Sequence, residues 1–361
     1  MIVFCILLLV IIASWFLLKK IEKRNTGNRK INAKLIYCII CSVALVAIAG
    51  LRQPSIDFGD DKMYMHNFEY VQNHDFPKVF DQYKKLDTEP IFYLGMKVVS
   101  LVSTNYNVIL IICAIPVVLA ISWMIYKRSK MPVMSYLVFA CAFFYLWSLV
   151  ILRQGVAMGA IVVGIEFLSR KKYLRFIIAV IIATLFHRTA LVFLLVLPLS
   201  FIPYSKKGML VFGLASVIIL LFGEQIVNGV LQLFSGMWHY RAYLTREESF
   251  GNWRQILKYI IYTAMTIMVI VFAKHETKTK NSTLIYSCLA GCLLCALSPF
   301  FAETFRLGLY FMIPIVILLP NAVSEIEKSK KKVLYSVAIS VGLVVLGVAT
   351  FYSMGYKSLI L

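Results

Sequence analysis

Ten long stretches of this sequence are almost free of charged residues, and they limit the possible fold more than any other feature. Stretches of about 18 or more apolar residues are typical of membrane-crossing helices. Because hydrocarbon offers no hydrogen-bond partner, the backbone of such a stretch must pair its own polar groups and becomes helical. We therefore expect an all-α polytopic membrane protein with spans near 1–18, 35–51, 107–126, 131–150, 151–169, 209–226, 255–273, 282–300, 304–320 and 333–351.

The lysines and arginines between these stretches predict how the chain is oriented. The sequence has 37 basic and 17 acidic residues, and a first dense basic group lies in the loop 19–34. Loops on the cytoplasmic side carry such an excess of Lys and Arg. We therefore expect 19–34 to be cytoplasmic, with outer loops at 52–90 and 227–254. The whole chain, 1–361, is then interpreted as a single integral membrane domain.

Two further apolar stretches do not suit ordinary spans. The stretch 90–104 contains Lys97 and favours an interfacial or re-entrant helix. The stretch 176–203 carries His187 and Arg188 at its centre, and its 28 residues are too many for one untilted span and too few for two. We expect a broken, re-entrant hairpin there, because interrupted helices occur where the backbone lines a cavity. With that hairpin, the later basic runs all fall on the cytoplasmic side.

The net charge of +20 does not indicate nucleic-acid binding, because no basic face with interleaved aromatic residues accompanies it. Cys288, Cys292 and Cys295 share one helix face, but a structural zinc site needs four ligands and thiolates inside a bilayer are costly. We interpret these cysteines as small apolar residues. No metal motif such as HExxH is present, so we expect a reaction without metal or cofactor.

Polar residues gather at the positions that this topology places outside. Charged side chains at membrane depth cost at least about 2.5 kcal/mol each, so they usually pair or mark a functional cavity. An ion pair or a snorkelling side chain is the alternative for each one. The candidates in or beside apolar stretches are Arg153, Gln154, His187, Glu303, Arg306 and Tyr310; those in the outer loops are Arg52, Asp57, Asp60, Asp61, Tyr64, Glu89 and Arg241.

These residue types favour glycosyl transfer from a lipid diphosphate. Arginines neutralise phosphate or diphosphate through paired N–H donors, and fixed cations stabilise charge that develops on a departing diphosphate. A histidine or a carboxylate could accept the proton of an attacking sugar hydroxyl. The arginine candidates are Arg52, Arg153, Arg241 and Arg306, and the candidate bases are His187, Asp57, Asp60 and Asp61.

The order of the motifs resembles the EpsG family of Wzy-like polymerases over about residues 35–320. The resemblance is carried by Arg52…Gly59-Asp60-Asp61-x-x-Tyr64, Glu89-Pro90, Leu152-Arg153-Gln154-x-x-Ala157, Phe186-His187-x-x-Ala190-Leu191 and Arg306-x-x-x-Tyr310. It implies a polymerase that joins undecaprenyl-diphosphate-linked repeat units of an exopolysaccharide, capsule or O-antigen. The reaction would take place at the outer leaflet of the bacterial cytoplasmic membrane, on a fold of the C-type glycosyltransferase class that includes O-antigen ligases.

The resemblance also implies roles for individual residues and partners. Arg153 and Arg306 would hold the donor diphosphate, and His187 or one of the aspartates 57, 60 and 61 would be the base. The loop 227–254 would cover the acceptor with its aromatic side chains. Expected partners are the lipid-linked donor and acceptor, membrane lipids, a chain-length regulator and a flippase, with no nucleic acid.

Two other classes of function share these features. A transporter or flippase of lipid-linked sugars would also show intramembrane charges and a broken helix. Such a protein would usually show an internal repeat and charges spread through the membrane, which this sequence lacks. An O-antigen ligase or a membrane acyltransferase would share the architecture and differ in its acceptor or acyl donor.

Overall fold

The structure is a computed structural model that describes residues 2–24, 32–55, 59–233, 253–356 and 358–359. Within these ranges the regular elements are helices, and Arg52 and Ser358 form one isolated antiparallel bridge. The prediction of an all-α polytopic membrane protein is confirmed.

The α-helices of the described ranges are numbered here in chain order. A 3₁₀-helix, Arg188–Leu195, lies between α10 and α11. The bounds are α1 Ile2–Arg24, α2 Ala33–Gly50, α3 Asp61–Gln72, α4 Phe76–Lys85, α5 Pro90–Ser100, α6 Tyr106–Arg128, α7 Pro132–Cys141, α8 Phe144–Val150, α9 Leu152–Ser169, α10 Tyr173–Phe186, α11 Val196–Leu199, α12 Lys206–Leu233, α13 Trp253–Phe272, α14 His275–Lys280, α15 Ser282–Leu297, α16 Glu303–Met312, α17 Ile315–Ser324 and α18 Ser329–Ser353.

Among the described helices, seven are long and apolar enough to cross a membrane, and they are α1, α2, α6, α9, α12, α13 and α18. Two bent pairs, α7 with α8 and α16 with α17, raise the number to nine if each pair is one span. The one remaining predicted span, 282–300, forms α15 with 16 residues. At about 1.5 Å per residue α15 is shorter than the hydrocarbon core of about 30 Å.

The two apolar stretches that we expected to be unusual are interrupted or short. Helix α5 has 11 residues and covers about half of the hydrocarbon thickness. Helix α10 ends at Phe186, where His187 takes an extended backbone conformation with φ −155° and ψ 112° before the 3₁₀-helix begins. A break at His187 is therefore present. The re-entrant path of either stretch through the membrane stays a prediction.

The described chain divides into two compact units. Its interpretation as a single integral membrane domain stays a prediction. Unit 1 contains residues 1–191 and 326–361, and unit 2 contains residues 192–325. Each unit has a buried core of its own.

In unit 1, helices α2, α6 and α9 pack closely along their lengths. At one end of this group, Asn107 at the start of α6 donates hydrogen bonds of 2.7 Å to the backbone oxygens of Gly50 and Arg52. At the other end, Arg128 Nε lies 3.0 Å from the carboxylate of Glu166 on α9. The starts of α6 and α9 therefore lie at the same end of unit 1, together with the end of α2.

The short helices α3, α4 and α5 form a second core beside the start of α9. Their buried residues are largely aromatic, and Tyr83 and Tyr93 stack with ring centroids 3.6 Å apart. Helices therefore occupy much of the predicted outer loop 52–90. This core fixes the position of Glu89, the residue that precedes α5.

In unit 2, helices α15 and α16 approach closely at glycines. A Cβ at Gly308 would lie 3.2 Å from the backbone oxygen of Gly291. Cys288, Cys292 and Cys295 of α15 are buried in this unit. Helix α12 continues to Leu233, so residues 227–233 are helical rather than part of the predicted loop 227–254. Residues 234–252 lie outside the described residues.

The contact of α6 with α9 predicts a steric limit at Gly159. A Cβ at this position would lie 2.7 Å from the carbonyl carbon of Pro116, which is backbone and cannot rotate away. We expect Gly159→Ala to lower the free energy of unfolding by about 1–3 kcal/mol, measured as an earlier melting transition in detergent. The control Gly342→Ala on α18 meets no atom within 4 Å. Equal melting transitions for the two variants would contradict this packing.

Candidate functional site

The carboxylate of Glu89 brings three residues of unit 1 together. Its Oε2 accepts a hydrogen bond of 2.5 Å from Nη1 of Arg153. Its Oε1 accepts a hydrogen bond of 2.8 Å from the backbone N–H of Arg188. Nδ1 of His187 lies 3.5 Å from the same Oε1, without hydrogen-bond alignment. We call Glu89, Arg153, His187 and Arg188 the Glu89 junction. Three motifs that are far apart in the sequence thus meet at one side chain.

Local structure explains why each residue of the Glu89 junction points this way. Glu89 precedes α5, whose first residue is Pro90, and proline suits the first position of a helix. Arg153 lies in the first turn of α9, where the helix dipole disfavours a cation, so a nearby carboxylate compensates for its position. His187 stands where α10 ends, and its extended backbone directs the following N–H of Arg188 toward Glu89.

The surrounding charges keep Glu89 ionised. Burial alone would raise the pKa of this carboxyl group. The approach of His187, the charge of Arg153 and the backbone N–H of Arg188 outweigh burial and lower the pKa to about 2. Because the pKa is depressed, the stabilisation is present above the ordinary pKa of glutamate and is lost only as the pH falls toward 2. The Glu89 junction is therefore intact across the physiological range.

Arg153 keeps a hydrogen-bond donor that the protein does not use. Its Nε is buried and has no hydrogen-bond partner among the residues that the structure describes. The guanidinium carbon lies 6.0 Å from the ring centroid of Tyr93, and the backbone N–H of Arg153 is 3.5 Å from the hydroxyl of Tyr64. The side chain as a whole is 16% exposed, so an anion could approach the guanidinium group, although Nε itself faces the protein interior. This geometry suits an oxyanion ligand.

The two neighbouring aspartates have different environments, which the sequence alone did not distinguish. Asp61 is fully buried and forms a bidentate ion pair with the equally buried Arg52. The hydroxyl of Tyr106 and the backbone N–H of Ser55 also face its carboxylate, at 3.4 and 3.3 Å. Neither side chain is accessible in this structure, and the roles of Arg52 and Asp61 in binding or catalysis stay predictions.

Asp60 is partly exposed and has no ion pair within the described part of the chain. It precedes α3 and makes no capping hydrogen bond with its side chain. The negative charge of Asp60 contributes to raising the pKa of Tyr64 and Tyr93, the two tyrosines that flank Arg153. Asp60 is therefore the aspartate that remains available to a ligand beside the Glu89 junction.

Two other residues predicted to bind substrate are buried. Tyr64 is fully buried beneath Arg153, and Gln154 is 2% exposed in the packed face of α9. Burial of Tyr64 also raises the pKa of its hydroxyl, so it stays protonated. Neither side chain is accessible to a ligand in this structure, so the substrate-binding roles of Tyr64 and Gln154 stay predictions.

The remaining candidates lie in unit 2 or outside the described residues. Arg306 pairs with Glu303 at 2.8 Å, one turn apart on α16, and both side chains are partly exposed. Tyr310 is fully buried in this structure, and its role in substrate binding stays a prediction. Asp57 and Arg241 lie outside the described residues.

Sequence reasoning missed several charged residues. Glu166, near the end of α9, is buried and lies 2.5 Å from Arg170 as well as 3.0 Å from Arg128. Its single negative charge among basic runs is the signal that could have revealed it. Lys258 on α13 was missed because Lys is common at span ends; its Nζ lies 4.2 Å from the ring centroid of Phe305.

No metal site is apparent in the part of the chain that the structure describes. No group of three or more His, Cys, Asp or Glu side chains is arranged there to hold a metal ion.

The environment of Asp61 predicts a stability effect that Asp60 does not share. Removing one partner of a buried ion pair leaves an uncompensated charge and costs about 3–5 kcal/mol. We expect Asp61→Asn to lower the melting temperature of the purified protein sharply. The matched control Asp60→Asn should change stability by about 0.5 kcal/mol or less. Similar melting temperatures for both variants would show that the buried pair is not a structural anchor.

Comparison with known protein families identifies the family to which this chain belongs. The profile of the EpsG family matches residues 34–360, nearly the whole chain. Neither the search of curated proteins nor the search of solved structures found a match. The matched range includes both Arg52 and Arg306, and every residue of the Glu89 junction. This multi-pass membrane protein therefore belongs to the EpsG family, a family of Wzy-like polysaccharide polymerases.

Proposed function

We propose that this protein joins undecaprenyl-diphosphate-linked oligosaccharide repeat units into a surface polysaccharide at the outer leaflet of the cytoplasmic membrane. The observation that carries the proposal is the Glu89 junction, where the partly exposed side chains of Arg153 and His187 both lie against the carboxylate of Glu89. A cation for a diphosphate and a group that accepts a proton are the two requirements of this reaction. Family membership supports a polymerase in general, and the site supports a diphosphate donor.

In the proposed step, a hydroxyl oxygen of the acceptor unit attacks the anomeric carbon of the donor chain. A new C–O bond forms while the bond from that carbon to the diphosphate oxygen breaks. The electron pair of the broken bond stays on the diphosphate, where Arg153 stabilises the negative charge. The hydroxyl proton passes to the base, for which His187 and Asp60 are the accessible candidates among the described residues. The products are the lengthened chain on the acceptor lipid and a free lipid diphosphate.

The two ends of α9 support an outward orientation of the site. Arg153 and Glu166 are 13 residues apart, or about 20 Å along the helix. At the Glu166 end, Arg128 and Arg170 pair with Glu166, and Lys34 donates to the backbone oxygen of Ser129 at 2.7 Å. Basic residues gather on the cytoplasmic side. The Arg153 end, by this rule, faces the exterior.

The partners of such a reaction follow from its chemistry. The donor and the acceptor are both lipid-linked oligosaccharides, so the protein works among membrane lipids. A flippase must supply the repeat units to the outer leaflet, and a chain-length regulator would act on the product. The Glu303–Arg306 pair of unit 2 remains a candidate contact for one of the two lipid-linked substrates.

Arg153→Ala tests the proposal directly. We expect a strain that carries this variant to lose long-chain polysaccharide and to accumulate single lipid-linked repeat units at the outer leaflet. The control Arg170→Ala removes an arginine from the other end of α9, whose side chain is half exposed, and should leave the chain-length ladder unchanged. A normal ladder with Arg153→Ala would refute the proposal. Repeat units retained at the inner leaflet would indicate a flippase instead.

The identity of the base can be tested with His187→Gln and Asp60→Asn. Loss of a general base lowers the turnover number by about 10²–10⁴-fold and changes KM little. We expect one of the two variants to show this pattern with purified protein and extracted lipid-linked units. If both variants keep the turnover number of the native protein, neither residue accepts the proton.

A further inference from the structure

The orientation of the Glu89 side chain is not explained by α5, the helix that Glu89 precedes. Glu89 occupies the position before α5, where a side chain usually accepts a hydrogen bond from the first turn of the helix. Glu89 makes no such bond. The side chain instead turns away from α5, toward the start of α9 and the end of α10.

Both carboxylate oxygens of Glu89 are engaged within the protein. Oε2 accepts from Arg153 at 2.5 Å, while Oε1 accepts from the backbone N–H of Arg188 at 2.8 Å and faces His187. The side chain is only 6% exposed. Little of the carboxylate is left for a substrate, and its negative charge would repel a diphosphate.

The position of Glu89 determines which ring nitrogen of His187 remains available for proton transfer. Glu89 faces Nδ1 of the ring, so Nε2 is the nitrogen turned away from the carboxylate. Carboxylates commonly orient histidines in this way and fix which nitrogen carries the proton. The distance of 3.5 Å is long, and such contacts often shorten when a substrate binds.

We infer that Glu89 is a positioning residue, which holds Arg153 in place to receive the donor diphosphate and orients His187 beside it without touching the substrate. This inference rests on the proposed polymerase function. It assigns to Glu89 a role different from the substrate contact that the sequence suggested. The ionised state of Glu89 also makes it unsuitable as the base, because a carboxyl group with a pKa of about 2 accepts protons poorly at neutral pH.

The neighbouring Asp87 offers a matched control. It also pairs with the segment after α10, because its Oδ1 lies 2.6 Å from Nη2 of Arg188. Both of these side chains are about half exposed, so water screens the pair and its contribution is small. Asp87 and Glu89 thus join the same two segments, but only Glu89 contacts Arg153.

The test measures the turnover per folded molecule with purified protein and lipid-linked repeat units extracted from a strain that lacks this protein. We expect Glu89→Gln to lower turnover by about 10- to 100-fold, because displacement of a reacting group by about 1 Å has effects of this size. Asp87→Asn should keep the turnover of the native protein. If Glu89→Gln does not accumulate in the membrane, Glu89→Asp decides the question. Glu89→Asp keeps the negative charge, but its side chain is one methylene group shorter, so the carboxylate oxygens lie farther from Arg153. This variant should lower turnover by about tenfold or more.

A double-mutant cycle with Arg153→Lys separates positioning from direct contact. If Glu89 acts through Arg153, the double variant should lose at most about threefold more activity than the more severe single variant. Losses that multiply would show that Glu89 acts independently and would overturn the inference. Native turnover in Glu89→Gln, or in Glu89→Asp where that variant decides, would overturn it as well. Arg153→Ala with a normal chain-length ladder would instead refute the proposed function itself.

Discussion

A carboxylate that is nearly removed from water must be surrounded by hydrogen-bond donors, and Glu89 meets this requirement with groups from two distant parts of the chain. The start of α9 supplies Arg153, and the end of α10 supplies His187 and the N–H of Arg188. At the start of α9 the helix dipole disfavours the positive charge of Arg153, and the carboxylate of Glu89 offsets this effect. The candidate site therefore exists because one negative charge needs all of these partners.

Helix α9 links this site to the rest of unit 1. Its first turn carries Arg153, its last turns carry Glu166, and Gly159 between them allows close contact with the backbone of α6. The buried pair of Arg52 with Asp61 secures the start of the loop beside the site. Asp60, one residue earlier, is thereby left partly exposed. The buried ion pair thus lies near two side chains, Asp60 and Arg153, that remain partly exposed.

Hydrophobic patterning predicted most spans and the break at His187, because both depend on local sequence. The same reasoning could not distinguish the environment of Asp60 from that of Asp61. The difference arises because Arg52 meets Asp61, at the start of α3, only in the folded chain. This reasoning also could not show that Tyr310 is buried, or that Glu89 forms an ion pair with Arg153. Which charged residues pair depends on contacts between residues that are far apart in the sequence. No periodic pattern in a single sequence indicates such contacts.

A structure of the purified protein in lipid nanodiscs with a bound lipid-linked repeat unit would test the central claim most directly. We expect a diphosphate oxygen within about 3 Å of the Arg153 guanidinium group, with Glu89 still bound to the same side chain. The sugar end of the substrate should lie near His187 and Asp60. A diphosphate bound away from Arg153, with the Glu89 junction closed and unoccupied, would contradict the account.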